Sequence, residues 1–375
     1  MTYIHEQPDW PHFTWNAESL AMPLAAVRHA QGLHLGRMRA LGFRFREEAQ
    51  LQILTEDLVK SWAIEGERLD PDEVRSSIAS RLGIEVGGLP RASRETDGVV
   101  EMMIDATSRF DAPLDTERLF GWHAALFPTG HSGLQRIAVG AWRPASAGPM
   151  QVVSGPLGKE RVHYEAPSAH RLEAEVARFF AWFAEPGEVD PVLVAGLAHF
   201  WFVTIHPFED GNGRIARAIG DMALARAEGT SERYYSLSAQ IESERKEYYE
   251  QLEFAQRGEL DITDWLVWFL GCLGRAIHSA EENLAAVFRR ARLLGSWQSQ
   301  ALNERQRRVL QRMLEGFRGH LTTSKYAKLA RCSPDSALRD IRELLEAGLL
   351  QQNPGGGRST SYRLTDDPEA AEERG

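Results

Sequence analysis

Cysteine is nearly absent from these 375 residues: Cys272 and Cys332 are the only two, sixty positions apart. They make neither a disulfide framework nor a zinc spacing. Also missing is any run of eighteen or more apolar residues, so no membrane span is expected. The opening Met1-Thr2-Tyr3-Ile4-His5-Glu6-Gln7-Pro8 lacks the basic-then-apolar layout of a secretion signal, and a cytoplasmic protein is expected. Positive charge is in deficit, with 43 Lys and Arg against 53 Asp and Glu and a net charge of −10. That balance argues against a chain devoted as a whole to nucleic acid. The deficit is uneven, because Ser296 to Leu364 holds twelve Lys and Arg against six Asp and Glu, while Thr365 to Gly375 turns acidic again. The swing marks a separate C-terminal module. A hydrophobic share of 43% and a charged share of 26% are ordinary for a globular protein, and the length suits two or three domains.

Against this plain background one window concentrates chemistry: His206-Pro207-Phe208-Glu209-Asp210-Gly211-Asn212-Gly213-Arg214-Ile215-Ala216-Arg217. An imidazole can take a proton from a hydroxyl near neutral pH. Asp210 offers the hard oxygen that Mg²⁺ accepts alongside substrate phosphates. Gly211 and Gly213 flank Asn212 and let backbone N–H groups face an anion. Arg214 and Arg217 share a face if a helix begins here, and a helix N-terminus is itself a phosphate site. The run from Gly211 to Ala216 also fits a dinucleotide fingerprint, but that needs a preceding strand. Val192 to Thr204 reads as a buried helix instead.

The window resembles the signature of the Fic family, His-Pro-Phe-x-Asp/Glu-Gly-Asn-Gly-Arg-x-x-Arg, at every fixed position. The resemblance implies transfer of AMP from ATP to a Ser, Thr or Tyr hydroxyl of a target protein or of the chain itself. It makes His206 the base and Asp210 the Mg²⁺ ligand. Gly211, Asn212 and Gly213 would hold phosphates, with Arg214 on the β- and Arg217 on the γ-phosphate. Relatives that phosphorylate carry a lysine where Gly213 stands. Ser61-Trp62-Ala63-Ile64-Glu65-Gly66 reads by spacing as a Ser/Glu surface pair at a glycine-capped helix end. It is also similar to the Fic inhibitory motif, whose glutamate pairs with the second signature arginine, here Arg217, and displaces the γ-phosphate.

The rest of the chain predicts a mainly α protein: a Fic helical core with a small β-hairpin flap, and a C-terminal winged helix-turn-helix. Expected boundaries are an N-terminal helical domain with the inhibitory helix over 1–113, a catalytic domain over 114–279, a linker helix over 280–295, a winged helix over 296–366 and an acidic tail over 367–375. Asp70-Pro71 predicts a helix start. Gly130 to Pro149 reads as a long loop. Met150–Val153 and Arg161–Tyr164 read as a hairpin, an ordinary edge or, by the resemblance, a flap in which Arg161, Val162 and His163 hold a target by strand addition. A helix from Ile241 through Gln256 carries Tyr248 and Tyr249, which suit core packing; the resemblance puts them with Gln256 around adenine. Ile262 to Leu273 reads as apolar nearly all round, and Ala280 to Leu294 as one helix. In the basic module, Ser336, Arg339 and Arg342 fall on a recognition helix and Arg358 in a wing, suited to DNA or to protein contacts. A homodimer is also expected. Two other functions fit the same residues: removal of AMP with Glu65 positioning water, and an ATP-sensing transcription regulator.

Overall fold

A computed structural model describes residues 2–84, 89–155, 159–298, 302–314, 320–354 and 360–365. It divides into two compact units, residues 1–283 and 284–375.

The first unit is helical. Helices α1 (Ala17–Arg39), α2 (Phe43–Ile64) and α3 (Pro71–Leu82) come first, then α4 (Arg94–Ser108) and α5 (Thr116–Leu126). Their starts follow local chemistry: the side chains of Asn16, Asp70, Ser93 and Asp115 accept first-turn N–H groups, with Pro71 at the first position of α3. Two small hairpins follow, β1 (His131–Ser132) with β2 (Gln135–Arg136) and β3 (Gln151–Ser154) with β4 (Arg161–Glu165). Then come α6 (Leu172–Ala184), α7 (Pro191–Ile205), α8 (Asn212–Glu228), α9 (Leu237–Ser243), α10 (Arg245–Gln256) and α11 (Thr263–Asn283).

The core is built around α7, on which every residue from Val192 to Ile205 is buried. It packs along α8, and α11 crosses it with Trp265 donating to the Gly196 carbonyl at 2.9 Å. A helix buried on all sides needs partners all round, and α6, α8 and α11 supply them. The aromatic arm before α1 joins this core, where Trp10 donates to Glu175 at 2.8 Å.

Several expectations are corrected here. The loop 130–149 contains the β1–β2 pair. The helix expected over 241–256 is two helices, broken at Glu244, whose carboxylate is drawn onto Arg275 of α11 at 2.5 and 2.6 Å. Helix α11 is not buried all round, since Asp264 and Val267 are exposed, and it runs on to Asn283. In place of one helix across 280–294, α11 ends at Asn283 and a new helix begins at Ala285.

The second unit comprises α12 (Ala285–Gln298), α13 (Glu304–Leu314), α14 (Thr323–Ala330), α15 (Pro334–Glu346) and the antiparallel pair β5 (Leu350–Gln352) and β6 (Tyr362–Leu364). Thr322 and Ser333 cap α14 and α15. Its own core gathers Leu310, Leu321, Tyr326, Ile341, Leu344 and Leu349. Buried Asp340 is held there by Arg305, at 2.8 and 2.9 Å, and by Asn303 and Tyr326. Among the described residues, no helix is long and apolar enough to cross a membrane.

Candidate active site

The signature window is the turn between α7 and α8. Helix α7 ends at His206, which takes φ 51° and ψ 57°, a region sparsely used by residues with a side chain. Such a conformation persists only where neighbours over-determine it, and here they do. Arg143, itself buried, donates from Nε to the His206 carbonyl at 2.8 Å and from its backbone N–H to the Pro207 carbonyl at 2.9 Å. Phe208 is buried and stacked on the His123 ring, with centroids 4.2 Å apart. His123 accepts from the Gly140 N–H at Nδ1 (3.1 Å), so its Nε2 carries the proton and donates to the Asp210 carbonyl at 3.2 Å. The Asn212 carboxamide bridges both polar groups of the Phe208 backbone at 2.9 Å. Its side chain therefore braces the loop, and its backbone N–H is the group left to face an anion.

His206 Nδ1 lies 3.2 Å from the Val203 carbonyl, which can only accept, so Nδ1 holds the proton and Nε2 is the free base. Burial lowers its pKa to about 4, and the Arg143 charge pushes the same way. The ring is neutral at pH 7. It borders a cavity of about 850 Å³, ample for a nucleotide. Tyr249, Glu253 and Gln256 line that cavity from one face of α10, and Tyr248 adjoins them. Tyr248 is buried and hydrogen-bonded to His199 at 2.9 Å, so it is a core residue at the cavity's edge, while Tyr249 is 38% exposed. The Gln256 amide donates to Thr204 at 3.2 Å.

At the opposite side α8 begins at Gly211 with no side-chain cap, leaving first-turn N–H groups for an anion. Glu65 stands beside that turn, against Gly213. Its Oε1 accepts from Arg217 Nη2 at 2.8 Å and lies 2.4 Å from where a Cβ on Gly213 would stand. Any side chain at 213 would collide with the carboxylate, so the glycine permits the approach. Arg217 is buried and also donates to the Ser61 hydroxyl and carbonyl, each at 2.8 Å. Gly66, at φ 83°, ends α2 in the left-handed turn and lets the chain double back. The next residue, Glu67, accepts from Arg214 Nη1 at 2.8 Å, and Arg214 lies over the Trp62 and Phe127 rings. Each signature arginine is thus engaged by its own carboxylate.

Asp210 is the candidate metal ligand. Its Oδ1 accepts from the Gly211 N–H at 2.5 Å and lies 3.4 Å from Arg214, its Oδ2 accepts from Ser132, and the side chain is 40% exposed. One exposed carboxylate beside an anion slot fits Mg²⁺, which binds through one or two carboxylates together with phosphates. Among the described residues no cluster of three or more His, Cys, Asp or Glu could hold a metal by itself.

In the hairpin, Val153 pairs with Val162, while Arg161 and His163 turn to Glu253 on α10 at 2.7 and 2.5 Å. Arg257 donates to the Val162 and His163 carbonyls, at 2.6 and 2.8 Å, which ties β4 to α10. In the second unit Arg339 and Arg342 are exposed on α15, while Ser336 belongs to the helix cap with Ser333. Arg358 lies outside the described residues. Sequence reasoning missed Glu67, Arg143, His123, Ser132 and Glu253. Only Glu67 left a signal, an acid directly after the motif's glycine.

Residues 113–224 match the Fic/DOC family, and residues 3–84 match a domain of unknown function, DUF4172. The chain carries a Fic/DOC domain over residues 113–224. It is 28% identical over 200 residues to protein adenylyltransferase fic-1 of Caenorhabditis briggsae, covering 53% of this chain and 36% of that protein. With protein adenylyltransferase Fic of Nematostella vectensis it shares 33% over 113 residues, 30% of this chain and 25% of the relative. The chain thus spans between a quarter and about a third of the length of these curated relatives. A crystallised Fic family protein from Desulfovibrio desulfuricans shares the fold at a TM-score of 0.58 and 22% identity, across 95% of this chain and 98% of that one.

Proposed function

We propose that this chain transfers AMP from ATP to a hydroxyl of a target protein and that α2 holds it inactive. One observation carries the reading: Arg217 holds the Glu65 carboxylate beside Gly213 in the first turn of α8, on the wall of the cavity that His206 borders. A slot that holds a carboxylate against a guanidinium and a helix N-terminus suits a phosphate equally well. The relatives' name, protein adenylyltransferase, supplies the reaction class.

In this reading His206 Nε2 takes the proton as the target hydroxyl attacks the α-phosphorus, a contribution of roughly 10²–10⁴-fold. The bond to the bridging oxygen breaks and pyrophosphate leaves. Asp210 would hold Mg²⁺, which supplies charge neutralisation on the phosphates when bound. Arg214 and Arg217 steady the β- and γ-phosphates once Glu67 and Glu65 release them. The hairpin β3–β4 offers its edge to an extended segment of the target. Inhibition is thus double, Glu65 on Arg217 and Glu67 on Arg214.

The test is incubation of wild type, Glu65→Gly and Glu65→Gly/His206→Ala with a cell lysate, Mg²⁺ and ATP labelled on its α-phosphate. Labelled lysate proteins should be strong with Glu65→Gly, faint with wild type and absent with the double variant. No labelled protein from folded, ATP-binding Glu65→Gly would sink the transferase reading. A second reading, removal of AMP from modified protein, is favoured by the position of Glu65: 29% exposed beside the same cavity, it can orient a water. We also read α13–α15 with β5–β6 as a winged helix-turn-helix whose exposed Arg339 and Arg342 face DNA phosphates. Each would then lower the salt dependence of binding by about one charge when changed to alanine.

A further inference from the structure

Three side chains on the wall of the same cavity form a proton chain that the transfer reaction does not use. Ser154 ends β3, His163 lies in β4 and Glu253 in α10, and all three line the cavity together with His206. Ser154 Oγ is 2.5 Å from His163 Nε2, and His163 Nδ1 is 2.5 Å from Glu253 Oε2. A carboxylate only accepts, so Nδ1 carries the ring proton and Nε2 is left to accept from the serine hydroxyl. Hydroxyl, imidazole base and orienting carboxylate in this order are how a serine oxygen is made nucleophilic. The chain is held at each link. Glu253 also accepts from Arg161 at 2.7 Å and lies 3.2 Å from Arg257, whose bonds to the Val162 and His163 carbonyls fix the strand against α10. Ser154 is exposed.

Resting on the AMP-transfer reading, the geometry points to Ser154 as the chain's own acceptor, with His163 as the base that activates it. Ser154 Oγ attacks the α-phosphorus of ATP, and the new Oγ–P bond forms as the bond to the bridging oxygen of the β-phosphate breaks. Pyrophosphate leaves with that electron pair. The hydroxyl proton passes to His163 Nε2, and Glu253 stabilises the imidazolium. A nucleotide on Ser154 would stand on the hairpin, so self-modification would compete with capture of a target strand.

The experiment is peptide mass mapping of Glu65→Gly after incubation with ATP and Mg²⁺, alone and with a lysate. Three further variants in that background are Ser154→Ala, His163→Gln and His206→Ala. AMP should appear on Ser154, persist with His206→Ala, and form roughly 10²-fold or more slowly with His163→Gln. AMP on another residue, or on lysate proteins with Ser154 bare, would overturn the inference and leave the transfer reading standing. Loss with His206→Ala alongside survival with His163→Gln would overturn the assigned base. No AMP on any protein would instead overturn the transfer reading itself. If Ser154→Ala lost structure, mapping of the parent variant still decides the site.

Discussion

Replacing Glu65 by alanine should make the resting protein less stable and its ATP complex tighter. Alanine avoids the added chain entropy of glycine at this helix end. Arg217 is 2% exposed and Glu65 29% exposed, joined at 2.8 Å. Stripping the partner from a buried ion costs roughly 3–5 kcal/mol in general. Here the Ser61 hydroxyl and carbonyl still accept from Arg217, and Glu65 keeps some water, so the loss should fall lower, about 2–3 kcal/mol. In a unit this size that is a melting temperature lower by roughly 4–10 °C. The same contact must be displaced before a γ-phosphate can take its place, so removing it should tighten ATP binding by the matching factor, roughly 30- to 150-fold. Scanning fluorimetry and titration calorimetry with and without ATP measure both. A variant that melts like wild type and binds ATP with unchanged affinity would refute the idea that Glu65 and phosphate compete for Arg217.

Gly213→Ala places a Cβ 2.4 Å from Glu65 Oε1 and 3.3 Å from Arg217 Nη1. It should expel Glu65 without activating the protein, because the same methyl crowds the phosphate; calorimetry should give ATP binding at least about tenfold weaker than in Glu65→Ala. Acid should destabilise the first unit early. Burial lowers the pKa of His123 to about 4 and of His199 to about 3. The unfolded chain takes up these protons below about pH 6.5 and the folded one does not, so stability falls as pH drops from there. By pH 5 the loss is at most about 2 kcal/mol for each ring, read as a lower urea midpoint at pH 5 than at pH 7. Equal midpoints would contradict it.

The fold and the centre of the site were legible where the chemistry is contiguous or local. His206 to Arg217 is one turn between two helices, and Ser61, Glu65 and Gly66 are one helix end, so spacing gives their local form; spacing alone read Ser61 and Glu65 as a surface pair, whereas Ser61 is buried and both meet Arg217. Helix starts at Asp70, Thr322 and Ser333 were legible because a cap is a local bond. The supports of the site were not, because their partners are far along the chain. Arg143 meets the residue it braces 63 positions on, His123 meets Asp210 after 87, and Glu67 meets Arg214 after 147. Nothing in the Trp142-Arg143-Pro144 loop distinguishes a buried brace from a surface arginine. The break at Glu244 was hidden for the same reason: its carboxylate meets Arg275 far along the chain, and no glycine or proline stands nearby. Asn212 shows the converse. Its place in the signature suggested a ligand, while its carboxamide stabilises the turn that presents the ligands.

The central claim is that the cavity beside His206 transfers a nucleotidyl group. The most direct measurement compares ATP labelled on the α-phosphate with ATP labelled on the γ-phosphate, using Glu65→Gly and a lysate. The account predicts that the α-label is retained on protein and the γ-label is released in pyrophosphate, with lysate labelling lost on His206→Ala. Retention of the γ-label on protein, or lysate labelling unchanged by His206→Ala, would contradict it.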